Sequence, residues 1–324
     1  MVFAACRGRP AGIAAGYVFD LLFSDPRRGH PVALFGRGAA ALERRSYADS
    51  RSAGVLHTGA LLGALGLLGV ALDQMACRRC SVLADATTAA ASFVAFGGTS
   101  LAQTGAQMTA LLEAGDVSGA RELLPSLCGR DPAALDEAGL TRAALESVAE
   151  NTSDAQVAPL IWAAVGGVPA VLVYRGANTL DAMIGNRSPR YIQFGWAAAR
   201  FDDAANFVAA RATALLVAAC APIVGGSPAG ALRAWRRDAS RHPSPNAGVV
   251  EAAFAGALDV QLGGPTQYAH ELEIRPTLGD GPPPRVSDLA RAVRLSRAVQ
   301  LAAAVLAVSL SAAGRSGRRA FLRR

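Results

Sequence analysis

Five stretches of this chain, 54–72, 86–112, 157–174, 212–232 and 298–314, contain no Asp, Glu, Lys or Arg. A helix that crosses a bilayer needs roughly 20 apolar residues. Inside lipid every backbone N–H and C=O must be satisfied within the protein, which favours helices. One such run could be a buried helix of a soluble protein; several at this length favour a membrane. The chain is therefore predicted to be an all-α, polytopic membrane helical bundle with polar cytoplasmic loops, a single integral-membrane domain over 1–324. Polar segments at 20–53, 113–156, 175–211 and 233–297 separate the runs. Pro159, Gly166, Gly167 and Pro169 interrupt the third run, and Pro222, Gly225 and Gly226 the fourth. Both runs can accordingly be re-entrant or broken rather than straight spans. The Pro-rich turn at Gly281–Pro284 predicts a final helix with Ser287 as its N-cap.

Composition agrees: 52% of residues are hydrophobic and 18% charged, against about 25% charged in soluble domains. A net charge of +7 would suit nucleic acid, but the basic residues, all arginine, are dispersed in short groups without interleaved aromatics. Arginine flanking membrane spans and near anionic headgroups explains them more simply. The expected partners are thus membrane lipid and not nucleic acid. The Arg-rich stretch 27–51 places the loop before the first strong span in the cytoplasm, giving a multi-pass protein of the cell (inner) membrane. The N-terminus does not read as a secretory signal, because Asp20 ends the short apolar stretch 10–19 without a cleavage motif. Cys77 and Cys80 form a C-x-x-C, yet no second ligand pair for zinc lies nearby. These and Cys6, Cys128 and Cys220 read as reduced and mostly structural.

The uncommon polar residues sit in short, ordered groups. Asp20, Asp25 and His30 form a turn for which structural and functional readings are balanced. In 145–160, Glu146, Glu150 and Asp154 are spaced i, i+4, i+8, which would align three acids on one helix face, where like charges repel. Arg142 could pair with Glu146; Glu150, Asn151 and Asp154 would then still await a metal or substrate at the mouth of an apolar run. Asn178 and Asp181 share a face at a membrane edge, where desolvation makes such residues functional candidates. Asp202 and Asp203 with Asn206 offer oxygen ligands suited to Mg²⁺, with Arg211 further along. Ser244, Asn246 and Gly248 precede a helix with Glu251 in its first turn or so, a place where backbone N–H groups can hold an anion. No P-loop, dinucleotide-binding glycine motif or nucleophile elbow accompanies these groups.

In this order the groups resemble the CobD/CbiB family of cobalamin biosynthesis, the adenosylcobinamide-phosphate synthases. The resemblance rests on DP…HPV at 25–32, ESVAENTSDAQVAPL at 146–160, YRGANTLDAMIG at 174–185, FG…AARFDD…N at 194–206 and HPSPNAG…EAAFAGALDVQLGG at 242–264. It runs from about Gly16 to the last apolar run. Where family members usually carry a Lys-containing stretch after M-x-G, this chain has Asn186 to Arg190.

The resemblance implies a multi-pass enzyme that joins aminopropanol, or its phosphate, to the f-side propionate of adenosylcobyric acid. The corrinoid and the amine would then be its partners, with other cobalamin-assembly enzymes as further candidates. Forming the amide calls for activation of the carboxylate, with ATP as co-substrate and Mg²⁺. Joined to the residue chemistry, this assigns the metal to Asp202 and Asp203, with Glu150 and Asp154 as further candidates. Arg200 and Arg211 would bind phosphate or carboxylate; Asn151, Asn178, Asn206 and Asn246 would hold amide and phosphate oxygens. Asp181 and Ser244 complete the substrate set, and Glu146 or Glu251 would take the proton of the attacking amine. If the third and fourth runs each cross the bilayer once, the groups at 174–206 lie on the face opposite to those at 146–160 and 242–264. One segment must then be re-entrant, or the site built from broken helices. A Mg-dependent prenyltransferase-like enzyme and a membrane transporter are the alternatives.

Overall fold

The computed structural model describes residues 9–25, 29–267 and 272–321; Cys6 and positions 26–28, which belong to the 25–32 motif and open the Arg-rich stretch, lie outside them. The chain is helical through α1 (Pro10–Phe23), α2 (Pro31–Ser46), α3 (Arg51–Arg79), α4 (Ser81–Ala95), α5 (Gly98–Glu113), α6 (Val117–Leu123) and α7 (Glu137–Thr152). A π-helical turn, Ser153–Val157, joins α7 to α8 (Ala158–Ile184). There follow α9 (Trp196–Cys220), α10 (Pro228–Asp238), α11 (Ala247–Leu258), the antiparallel strands β1 (Leu262–Gln267) and β2 (Leu272–Leu278), and α12 (Val286–Phe321). Four helical stretches, Arg51–Arg79, Glu137–Ile184, Trp196–Val224 and Val286–Gly314, are long and apolar enough to cross a membrane. The protein is an all-α, multi-pass membrane protein, and among the described residues β1 and β2 form one small antiparallel pair.

Local chemistry sets the ends of these elements. Ser50 starts α3 by accepting the Ala53 N–H at 3.3 Å, and Arg78 and Arg79 occupy its last turn, where the carbonyl end attracts cations. Only 22% of the apolar window of α3 is buried, and Leu56 and Leu67 are about three-quarters exposed. That much uncovered apolar surface on a long helix suits lipid rather than water.

The apolar stretch 86–112 is not one helix. Phe96 adopts an extended conformation after α4, and α5 begins at Gly98, whose N–H is bound by Gln156 Oε1 at 3.1 Å. The stretch 212–232 also divides. Helix α9 passes through a 3₁₀ turn at Ala221–Val224, Gly225 turns the chain at φ 66°, and Ser227 caps α10 through the Gly230 N–H. The helical stretch that is long and apolar enough to cross a membrane thus begins earlier, at Trp196. Helix α12 starts at Val286, not after Ser287; Asp288 Oδ2 accepts the Arg285 N–H at 3.0 Å and closes its first turn. The interruption expected in the third run is real: Gly167 leaves helical geometry at φ 63°, ψ −150°, just before Pro169.

Two compact units make up the chain. Residues 1–97, 158–206 and 304–324 form the first, and residues 98–157 and 207–303 the second. In the first, Leu62, Leu180, Ile184 and Phe194 centre the apolar core. Close helix approach there depends on small residues. A Cβ on Gly69 of α3 would stand 2.5 Å from the Pro169 Cα of α8, and one on Gly12 of α1 would stand 2.5 Å from the Asp85 carbonyl of α4. In the second unit, Gly230 of α10 and Gly256 of α11 bring their backbones together in the same way.

Candidate functional site

Within the first unit, α8 and α9 enclose a polar cluster in an otherwise apolar interior. Tyr174 donates to Asn206 Oδ1 at 2.8 Å, and Asn206 Nδ2 donates to Asp202 Oδ2 at 2.9 Å. Asn178 and Asp181 of α8 flank Asp202. Tyr174, Asn178 and Asp181 share one face of α8 because they lie i, i+4, i+7; Asp202 and Asn206 share one face of α9 at i, i+4. Asp202 and Asn206 are both buried, and Asp202 Oδ1 has no hydrogen-bond partner among the described residues. Asp203, about 100° around the helix from Asp202, is instead half-exposed and ion-paired with Arg200 at 3.5 Å. The structure therefore brings together Asn178, Asp181, Asp202 and Asn206, while Asp203 and Arg200 pair beside them.

The second unit holds a carboxylate cluster. Glu146 is ion-paired with Arg130 and accepts the Gly263 N–H at 2.7 Å. Glu251 of α11 is 1% exposed, and neither of its oxygens has a hydrogen bond among the described residues; His242 Nε2 lies 4.0 Å from Oε1. Its charged neighbours are Glu146, Glu150, Arg275 and Arg130. Burial first, and then Glu146 and Glu150, push the Glu251 carboxyl well above the usual range. Buried like charges are retained against their cost where a site uses them.

Other predicted residues take structural partners. Arg142 does not pair with Glu146; its guanidinium holds the carbonyls of Gly263 and Pro265 at 2.8 and 2.6 Å. Asp154 lies in the π-helical turn that follows α7 rather than in α7 with Glu146 and Glu150. Asn151 donates to the Ser147 carbonyl one turn earlier at 3.0 Å. Ser244 Oγ accepts the Ala247 N–H at 3.1 Å, which occupies a donor of the expected anion site. Arg211 holds Asn246 Oδ1 at 2.9 Å and the Pro245 carbonyl at 3.1 Å. His30 accepts the Val32 N–H and contacts Asp25 at 3.2 Å, a helix-start arrangement. Cys77, Cys80, Cys128 and Cys220 are free thiols. Among the described residues, no group of three or more His, Cys, Asp or Glu side chains could hold a metal.

Sequence reasoning missed Arg130 and Arg275, which lie outside every motif; the need to balance three glutamates was the signal available. It also missed a polar cleft of about 380 Å³ in the second unit, lined by Arg233, Arg237 and Arg291. There Arg237 is held by Asp238 and Asp280, and Arg291 by Asp288.

Fold and clusters together define a class: a helical membrane protein that keeps carboxylates and carboxamides buried inside its helices. A family model described as CobD/Cbib protein matches residues 13–296. The chain is 68% identical over 302 residues to Cobalamin biosynthesis protein CobD of Mycobacterium tuberculosis, covering 93% of this chain and 96% of that one. It is 43% identical to the protein of the same name from Chromobacterium violaceum, over 89% and 95% of the two chains. The match to that from Pelobacter propionicus is 37% over 94% and 95%. The chain belongs to the CobD/CbiB family. No solved structure matches it.

Proposed function

We propose that this protein works in cobalamin biosynthesis as an ATP-dependent amide-forming ligase, an adenosylcobinamide-phosphate synthase of the cell inner membrane. It joins aminopropanol, or its phosphate, to the f-side propionate carboxylate of adenosylcobyric acid, with 1–324 acting as a single integral-membrane domain. The names of the relatives support the pathway. The observation that carries the chemistry is Glu251, a buried carboxyl with both oxygens unbonded among the described residues and two more glutamates around it. Such a group costs stability and suits proton transfer.

In this reading an oxygen of the corrinoid carboxylate attacks the γ-phosphorus of ATP and ADP departs. The amine nitrogen then attacks the acyl carbon, the bond from that carbon to the phosphate oxygen breaks, and phosphate leaves. Glu146 is already engaged by Arg130 and the Gly263 N–H, so Glu251 is the better acceptor for the amine proton. Its raised pKa makes it a stronger base once ionised. Mg²⁺ would neutralise phosphate charge when bound. The oxygen-rich set that fits it is Asp202, with its open Oδ1, together with Asp181, Asn178 and Asn206; Asp203 serves less well because Arg200 holds it. Arg200, largely exposed and only loosely paired with Asp203 at 3.5 Å, would meet a phosphate. Arg211 and Ser244 support the loop that carries Asn246.

Incubating the purified chain with cobyric acid, aminopropanol phosphate, ATP and Mg²⁺ should yield the amide by mass spectrometry. No product with all four present would refute the ligase. Corrinoid flux across vesicles without amide formation would favour a transporter instead.

A further inference from the structure

Arg175 follows directly on the apolar run 157–174 and lies in the first unit. Its hydrogen bonds are few for a partly buried arginine: Nη1 donates weakly to Asn178 Oδ1 at 3.4 Å, and Nε is buried with no hydrogen-bond partner among the described residues. No carboxylate among those residues forms an ion pair with it. An arginine at a membrane edge without a counter-charge is expensive unless something anionic meets it.

Beside it opens a cavity of about 200 Å³. Val32 and Phe35 of α2, Leu65 and Leu68 of α3 and Leu172 of α8 supply its apolar wall, and Arg175 is the one charged group among its lining residues. Gly176 keeps the space open, since a Cβ there would run into Leu65 Cδ1 and approach Leu62 Cδ2 at 3.2 Å. The volume is below the roughly 300–1,000 Å³ of sites for drug-sized molecules, too small for a corrin ring but adequate for a segment of hydrocarbon chain. An occupant must therefore join an anion to a narrow apolar body, and the surrounding bilayer holds such molecules at high concentration.

We propose that this groove binds an anionic phospholipid, with its phosphate on Arg175 and one acyl chain between α2, α3 and α8. The pairing satisfies the guanidinium with charge-assisted hydrogen bonds and fills the cavity with methylene groups. The groove adjoins the proposed metal set through Asn178, which accepts from Arg175, but lipid retention is read without any ligase turnover.

The test is native mass spectrometry of the full chain, delipidated in detergent and titrated with phosphatidylglycerol or phosphatidylcholine. Phosphatidylglycerol should be retained at least about tenfold more strongly, and R175Q should remove that preference. G176L, which plugs the groove and leaves the charge in place, should weaken phosphatidylglycerol retention, while R175K should keep part of it. Circular dichroism and size exclusion confirm that each variant is folded. Equal retention of both lipids by the unsubstituted chain, unchanged preference in folded R175Q, or equal competition by glycerol phosphate without acyl chains would each overturn the proposal.

Discussion

At the scale of single residues, the contrast between Asp202 and Asp203 shows what spacing can and cannot reveal. Adjacent acids in a sequence suggest a paired ligand, but on a helix they point about 100° apart, and the structure pairs only Asp202 with the buried amides. D202N should reduce product formation by about a hundredfold or more, whereas D203N, which loosens a half-exposed pair worth little, should cost less than tenfold. Equal losses in the mass assay would contradict the assignment. Glu251 gives a second test. A base must be ionised, and a raised pKa moves its ionisation to higher pH, so the rate should climb with pH above the ordinary glutamate range near 4.3. E251Q should lower the rate and flatten that limb; an unchanged pH profile would show that another group takes the proton. The face spacings at 178/181 and 202/206 were legible in the sequence. The partners of Glu146 were not, because Arg130 and Gly263 reach it from 16 and 117 residues away.

At the scale of elements, apolar runs located helices well and their ends poorly. Hydropathy carries no information about where Phe96 extends the chain, or that Gln156 claims the first N–H of α5. The hairpin at Leu262–Leu278 was invisible for a related reason. Leu-Gly-Gly-Pro lacks strand alternation, and what fixes the strand is Arg142 and Glu146 on its backbone. Gly263, at φ 83°, must pass so close to the Pro276 carbonyl that any side chain would collide. The approach of α3 to α8 at Gly69 predicts that G69A destabilises the protein by about 1–3 kcal/mol, because Pro169 backbone cannot move aside cheaply. Thermal unfolding in detergent measures this, and an unchanged midpoint would contradict the packing. Asp238 holds Arg237 at 2.7 Å and the Gly279 N–H at 3.0 Å, and the Arg237 hydrogen bonds depress its pKa. Its stabilisation should be complete above the ordinary aspartate value of about 3.9 and fade as pH falls through the depressed one. D238N should remove that dependence and cost about 1–3 kcal/mol.

At the scale of the whole molecule, membrane embedding follows from four long apolar stretches. Residues 174–206 belong to the first unit, while 146–157 and 242–264 belong to the second. The sequence could show that these groups are separated by apolar runs. It could not show that the π turn at Ser153–Val157 and the kink at Gly167 interrupt the helical run between them. Arginines 44, 45 and 51 around the start of α3 predict that the Tyr47–Ser50 loop faces the cytoplasm. In a variant whose five native cysteines are replaced by serine, a cysteine placed at Asp49 should resist membrane-impermeant maleimide in intact cells and react after lysis, and labelling of intact cells would reverse the orientation.

The central claim, activation of a carboxylate by ATP followed by capture with an amine, is tested most directly by isotope transfer. Cobyric acid labelled with ¹⁸O in the reacting carboxylate should give an amide that keeps one ¹⁸O and inorganic phosphate that gains the other. Unlabelled phosphate accompanying amide formation would contradict the account.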